Sequence, residues 1–436
     1  MGCHAEAKKL RTSCGVESLA RKDYDWEKGA NLDEHTKRKH KILKEYFSQY
    51  LITRCKHPKQ ERFKLAVVDG FSGAGLYKCG SFGSPLIFLD ELDKTSKLIN
   101  IQRATDGMRP IEIECYLLFN DSKKDAIEKL EQNVAGLLGE IRTNNQRLHI
   151  KVDYSNKKFA SAYPEIKEAL KIAKYPNVLF NLDQCGYSTV NIAILEDIMS
   201  SWGSVEAFLT FSINTIKTYL SLDEEKSKVL MGHPELRAEI YSYIQDGGDV
   251  INKKDWMGFA EQVIFERLNS CATYVSPFSI NNPDGWRYWL MHFANRPAAR
   301  RVYNNVLHDN ASYQAHFGRS GLQMLSFNPK EDTNMYLFDA DSRASAKISL
   351  HEDIPHLVDL YGDAISMEDF YLTIYKETAA HSEDIHSVLI ESDDLEVLTP
   401  LGNKRRKANA IKISDTVRLK TQKTFFPMFG STNKES

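Results

Sequence analysis

Apolar positions along this chain follow first a helical rhythm and then a strand rhythm. From about Glu34 to Leu51 the residues Leu43, Tyr46, Phe47, Tyr50 and Leu51 recur at helical spacing, with Lys37, Lys41 and Lys44 opposite them. That spacing predicts an amphipathic helix packed on the next domain of the chain. Five short apolar runs come next: Leu65–Val68, Cys115–Phe119, Leu148–Val152, Asn177–Leu182 and Ala207–Ser212. A run without polar alternation, such as Leu65–Val68, suits a strand covered on both faces. Helical stretches such as Lys123 to Val134 lie between most of them. The pattern is βαβα, and a mostly parallel sheet is expected. Residues from about 224 to 270 are helical in composition. A hairpin is expected over Ala272–Ile280 and Trp286–Ala294, turning at Asn281–Gly285.

The strand ends carry the candidate chemistry. The first run leads into Asp69-Gly70-Phe71-Ser72-Gly73-Ala74-Gly75, whose glycines permit a tight turn and close approach of a ligand to the backbone. Asp121 comes after the second run, Asp153 after the third and Asp183 after the fourth. In open α/β sheets ligands bind at the carboxyl ends of strands, where the strand order reverses. Asp121 is placed to accept from two ribose hydroxyls, and Asp153 could face the amine of an adenine. Asp121 comes about fifty residues after the glycine loop rather than about twenty, so an insertion is expected near Glu91 to Arg109. Strand-end aspartates also serve as helix N-caps, and that alternative stays open. A terminal antiparallel hairpin on a five-stranded parallel sheet is the arrangement of S-adenosylmethionine-dependent methyltransferases. The expected fold class is therefore α/β, a Rossmann-like sheet of that type.

Composition narrows the class little. The 436 residues suit one large domain with insertions or two to three smaller ones, and the formal net charge of -2 neither favours nor excludes nucleic acid. No apolar run reaches the roughly 18 residues of a membrane helix, so no membrane role is expected. Lys8, Lys9 and Arg11 precede no apolar block, which argues against a secretory signal, and Glu6 breaks a Met1-Gly2 myristoylation motif. The seven scattered cysteines form no CxxC pair; reduced thiols in a cytoplasmic protein are expected, with no metal site. Cys185 stands where cytosine-5 methyltransferases carry a nucleophile, but Gln184 replaces the proline usual before it, and inert packing is the plainer reading. His292 and His149, isolated on strands, are expected to be core residues rather than ligands.

Asp69–Gly75, with Gly83-Ser84-Pro85 soon after, resembles the signature of the three-Cys-motif partner proteins, bacterial proteins named for a neighbouring gene product with a three-cysteine, radical-SAM-like motif. Trp26 and the Lys39–Tyr46 segment resemble that family's Trp–Lys–Leu–Tyr helix, and Tyr288–Asn295 its late strand. The resemblance covers about residues 24–310. It implies an S-adenosylmethionine-binding fold; the cofactor is expected on Asp69, Gly70, Phe71, Gly73, Gly75, Asp121 and Asp153, and by its position at the fourth strand end Asp183 is the expected catalytic residue, as acid–base or orienting group. It also implies a radical-SAM-like protein as partner. One departure matters: Asp183-Gln184-Cys185-Gly186-Tyr187 stands where the family has Asp-Pro-aromatic-Gly. Prolines there fix a carbonyl toward a target amino group. A cofactor-binding fold is thus implied more firmly than methyl transfer, and a catalytically silent partner subunit remains the alternative.

The expected organisation is a poorly ordered 1–25, the Rossmann domain over 26–310, a linker and strand over 311–345, a basic winged-helix-like domain over 346–426, and a tail over 427–436. Glu391, Asp393, Asp394 and Glu396 form an acidic cluster. Lys404, Arg405, Arg406, Lys407, Lys412, Arg418, Lys420 and Lys423 come after it, against Asp415 alone. Lys404 to Lys407 are expected to bind nucleic acid, DNA or RNA, or else to cover the acidic face.

Overall fold

The computed structural model describes residues 29–184, 190–212, 265, 268–276, 279–281, 287–310, 314–317, 322, 335–336 and 339–420. The expected N-terminal and C-terminal tails, Trp26, residues 185–187, Lys423 and most of the 224–270 and 311–345 segments lie outside these.

Alternation along β1 (Arg62–Asp69) sets the layers. Leu65 and Val67 pack with Cys115, Leu117 and Phe119 on one face, while Ala66 and Val68 pack with Tyr116, Leu118 and Phe180 on the other. A strand buried on both faces needs partners on both edges, and β1 pairs in parallel with β2 (Glu112–Asn120) and β4 (Asn177–Leu182). β3 (Leu148–Ser155) joins β2, and β5 (Ser204–Ser212) joins β4, both in parallel. The first face is covered by α1 (Glu34–Arg54), α2 (Ser84–Thr105), α3 (Lys124–Asn144) and, once β8 is in place, α6 (Pro297–Asp309). The second is covered by α4 (Phe159–Ile172) and α5 (Ile192–Ser201).

β8 (Arg287–Ala294) enters antiparallel to β5, and its other edge takes β6 (Tyr274–Ser276) and β7 (Ser279–Asn281). β9 (Gln314–Phe317) and β10 (Met335–Tyr336) extend that edge, giving the order β10-β9-β7-β8-β5-β4-β1-β2-β3. The order reverses between β1 and β4, so the open crevice lies at their carboxyl ends.

Three sequence expectations shift. The segment from Glu91 to Arg109 is no insertion but the body of α2 and its closing turn. Arg103, 3% exposed, bonds the carbonyls of Cys55, His57, Pro58, Gln60 and Arg109, fastening the ends of α1 and α2 beneath the sheet. β3 continues two residues past Asp153, because Asp121 N–H still bonds Ser155 O at 3.1 Å. His149 is half exposed at that sheet edge, near Glu112, so it is not a core residue. His292 is fully buried. Its Nε2 lies 3.4 Å from Glu206, which also accepts from the Tyr46 hydroxyl, amid the rings of Tyr46, Phe208 and Tyr303.

A small α+β unit closes the chain: α7 (Ala340–Leu360), β11 (Ala364–Ser366), α8 (Met367–Glu377), α9 (Ser382–Glu391), β12 (Leu395–Leu398) and β13 (Thr416–Leu419). Asp339 and Ser366 cap α7 and α8, each accepting a backbone N–H with its side-chain oxygen. The strands pair antiparallel in the order β11-β13-β12. This succession of helix, strand, two helices and a two-stranded wing is the winged-helix order, with residues 399–415 as the wing. Leu350, Phe370, Val388 and Val417 share one core with Val306 of α6, so the unit is packed onto the larger sheet layer.

Gly75 has φ +74°, and a Cβ there would sit 2.5 Å from Leu130 Cδ1. Gly75→Ala is expected to lower unfolding stability by about 1–3 kcal/mol through strain and overpacking. Urea denaturation checks this; an unchanged midpoint would contradict the placement of the loop against α3.

Candidate functional site

The loop after β1 is wired from three sides. Gly70 N–H bonds Asn181 O at 2.9 Å from β4, and Ser72 N–H bonds Asn120 O at 2.9 Å from β2. Asn133 of α3 reaches Ala74 O at 2.8 Å. Asn120, 1% exposed, returns its amide to Gly70 O and Lys157 O, both at 3.0 Å. Gly73, at φ +57°, turns its N–H onto Asp121 Oδ2 at 2.9 Å. The side chain of Phe71 lies against Phe159, with ring centroids 5.7 Å apart. Gly70 admits no Cβ, which would meet the Phe159 ring at 2.8 Å.

Of the four candidate aspartates, Asp69 and Asp183 lie close enough to act on each other, and Asp121 holds the glycine loop. Asp69 ends β1 with no exposure, accepting from Phe71 N–H and Asn181 Nδ2 at 3.2 Å each. Burial pushes its carboxyl up to about 7, against hydrogen bonds from Ser84, Asn181 and Phe71, and the charge of Asp183 adds to the rise. The bond from Ser84 puts it at the N-terminal end of α2. Asp121 accepts from Gly73 and, through Oδ1, from Lys123 N–H at 2.9 Å; burial holds its carboxyl above the usual range despite them. Asp153 stands apart. It accepts from the Tyr116 hydroxyl at 2.5 Å and pairs with Lys151 at 2.8 Å, on the α4 face and two residues short of the strand end.

Asp183 comes directly after β4 and is gripped by Lys39 of α1, whose Nζ lies 2.6 and 2.7 Å from its two oxygens. Burial would raise this carboxyl, but the Lys39 charge and hydrogen bond, the Thr210 hydroxyl and His40 outweigh it and hold it below the ordinary range. His40 beside the pair is driven down to about 4 by burial and then by Lys39, so its ring is neutral. Gln184 is buried, and its Oε1 accepts from Val190 N–H at 3.0 Å. Cys185 itself lies outside the described residues. Sequence reasoning places Lys39 only within the helix resemblance and gives it no role in the site. Its position four residues before Leu43 and seven before Tyr46 puts it on the buried face, and that spacing marks a cation in need of an anion.

The basic segment divides. Arg405 forms a two-pronged pair with Asp415 at 2.8 and 2.9 Å, and that carboxylate is fully buried. Lys404, Arg406 and Lys407 are exposed, and no carboxylate among the described residues pairs with them. No group of three or more His, Cys, Asp or Glu side chains among the described residues could hold a metal ion, and no described helix is long and apolar enough to cross a membrane.

A glycine loop after the first strand, acids at the β1, β2 and β4 ends, and an antiparallel strand beside β5 define a methyltransferase-like Rossmann fold. No family model and no curated protein matches the chain. Solved structures similar to it include a protein assigned as an rRNA-methylase from Clostridium thermocellum, 9% identical with TM-score 0.26, covering 61% of this chain and 99% of that one. Another is the N-terminal domain of EvdMO1 with SAH bound, 10% identical with TM-score 0.25, covering 58% of this chain and 81% of its own. A third is a protein assigned as an O-methyltransferase from Klebsiella pneumoniae, 8% identical with TM-score 0.24, covering 61% and 92%. At these scores likeness alone assigns nothing, and the class rests on strand order and the wired loop.

Removing Lys39 would leave Asp183 half-buried and without its cation. Lys39→Met is expected to lower stability at neutral pH by about 1–3 kcal/mol, less than for a fully buried pair because Asp183 keeps some solvent. A depressed carboxyl contributes stability above its unfolded value and loses it as the pH falls, so the deficit should shrink in acid. Denaturation at neutral and acid pH checks both points. A deficit that grows in acid would contradict the pairing.

Proposed function

We propose that this chain binds S-adenosylmethionine across the Asp69–Gly75 loop and acts on nucleic acid beside a three-cysteine, radical-SAM-like partner. The observation that carries the cofactor half is the loop itself, placed at the point of strand-order reversal, with Asp69 bonded to Phe71 N–H and Asp121 to Gly73 N–H. The residues fit the group. S-adenosylmethionine presents a sulfonium, an ammonium and ribose hydroxyls, all suited to carboxylates. Of the strand-end carboxylates, Asp183 is paired with the ammonium of Lys39, Asp121 feels the charge of Lys123, and Asp69 has only neutral donors. Each Asp121 oxygen has one backbone donor and keeps acceptor capacity for a ribose hydroxyl. When bound, the cofactor supplies a methyl group on a positively charged sulfur. The nucleic-acid half is supported by the exposed Lys404, Arg406 and Lys407, with which no carboxylate among the described residues pairs. The partner half is supported by resemblance to the three-Cys-motif partner proteins.

A second reading, a catalytically silent subunit of the same fold, is favoured by one observation. Both oxygens of Asp183 are held by Lys39, and the carboxyl stays ionised. A carboxylate so neutralised is a poor general base, and Gln184 cannot act as the motif proline does. Cofactor binding without turnover is what this reading expects.

Calorimetry with S-adenosylmethionine and S-adenosylhomocysteine tests the cofactor site. Asp121→Ala is expected to weaken binding more than tenfold, since lost charge-assisted hydrogen bonds cost about 1.5–3 kcal/mol. No heat and no melting shift at millimolar ligand would end the proposal.

A cationic ligand also favours ionised Asp69, whose carboxyl titrates at about 7 in the free protein. Affinity is therefore expected to fall as the pH drops below that value, by at most about tenfold per pH unit, and Asp69→Asn should flatten the profile. A wild-type profile that is flat through this range would contradict the role of Asp69.

A further inference from the structure

In a helix-turn-helix module the second helix ordinarily enters the major groove. Here the turn between α8 and α9 is turned inward. Thr378, Ala379, Ala380, His381 and Ser382 are all buried against α6. Asn304 donates to Thr378 O and Ala380 O at 3.1 and 3.4 Å, and the buried Arg300 donates to Thr378 O at 3.3 Å. Asn305 exchanges two bonds with Ser382, 2.9 and 3.0 Å long, at the first residue of α9. The N-terminal end of α9, the part that would read base edges, is thus already occupied by the larger domain. The charge of α9 is also wrong for phosphates: Ser382–Glu391 contains Glu383, Asp384 and Glu391 and no lysine or arginine.

The wing has the opposite character. Arg405 and Asp415 lock its base, Lys412 N–H bonds Asp415 at 2.7 Å, and Thr399 N–H bonds Asn403 O at 2.9 Å across a turn with Gly402 at φ +79°. From this fixed frame Lys404, Arg406, Lys407 and Lys412 project into solvent. Leu401 is 87% and Ile413 57% exposed beside them, apolar surface suited to sugars and base edges. Other cations of the segment serve the fold. Arg418 pairs with Glu396, and Lys420 bonds Ser392 O and Asp393 O.

We propose that the wing, residues 399–415, is the nucleic-acid contact of this protein, and that α9 is a docking helix rather than a recognition helix. The proposal rests on the nucleic-acid reading above and assigns its surface. Lys404, Arg406, Lys407 and Lys412 set the scale of binding at about three to four phosphates, a log–log salt slope near -3 on a duplex.

Fluorescence anisotropy on the full chain tests it, with labelled DNA and RNA duplexes of one sequence at two salt concentrations and polyglutamate as competitor. Lys404→Ala/Arg406→Ala/Lys407→Ala leaves the Arg405 lock in place and is expected to weaken duplex binding at least tenfold at low salt and flatten the slope by about 2–3. Glu383→Gln/Glu391→Gln on α9 should change affinity less than threefold. A wild type that binds, with an unchanged wing variant, overturns the wing and leaves the nucleic-acid reading standing. A wild type that binds neither duplex overturns both. Displacement by polyglutamate at no excess over duplex would mark a polyanion-binding surface without nucleic-acid preference and overturn the assignment. A tenfold loss in DNA alone, or in RNA alone, supports the wing and names the substrate.

Discussion

An ammonium carried on the apolar face of a helix must meet an anion, because a lone charge in the interior costs far more than a helix–sheet contact returns. Lys39 meets Asp183, and much of the candidate site depends on that meeting. The pair pins the start of α1 to the end of β4, beside the crevice, while the far end of α1 is fastened near the starts of β1 and β2 by the Arg103 carbonyl cluster. Between those points Ile42, Tyr46, Phe47 and Tyr50 cover the sheet face. The same pair decides the chemistry open to Asp183: it stays ionised, neutralised and oriented, which suits anchoring better than proton transfer.

The remaining acids are governed by different terms. Asp69 is raised by burial with only neutral donors around it, so it is the group most sensitive to a cation entering the crevice. Asp121 is shared between the glycine loop and the start of α3, and thereby couples the shape of the loop to the state of its own carboxylate. Under the proposed function, ordinary hydrogen-bond geometry would make a site whose electrostatics change when a positively charged ligand arrives.

The layers of the fold were legible because strands buried on both faces leave unbroken apolar runs, as in Leu65–Val68, and the reversal of strand order accords with the late antiparallel strand. The Asp69–Gly75 loop was legible from its glycines. Other features depend on partners far away in the chain. Nothing local to Asp183 announces Lys39, 144 residues earlier, although the helical phase of Lys39 marks it as buried. Asp153 looked like a strand end because hydrophobicity stops there, whereas the backbone ladder continues to Ser155. Lys404, Arg405, Arg406 and Lys407 read alike as a run, yet one of the four is a structural lock, since only pairing with the buried Asp415 separates it from its neighbours.

A crystal structure of the chain with S-adenosylhomocysteine tests the central claim most directly. The account predicts the ligand laid across Gly73 to Gly75, its ribose hydroxyls on Asp121 and its amino group toward Asp69, with the Lys39–Asp183 pair unbroken. Ligand density at another place, or no ligand density in saturating ligand, would contradict it.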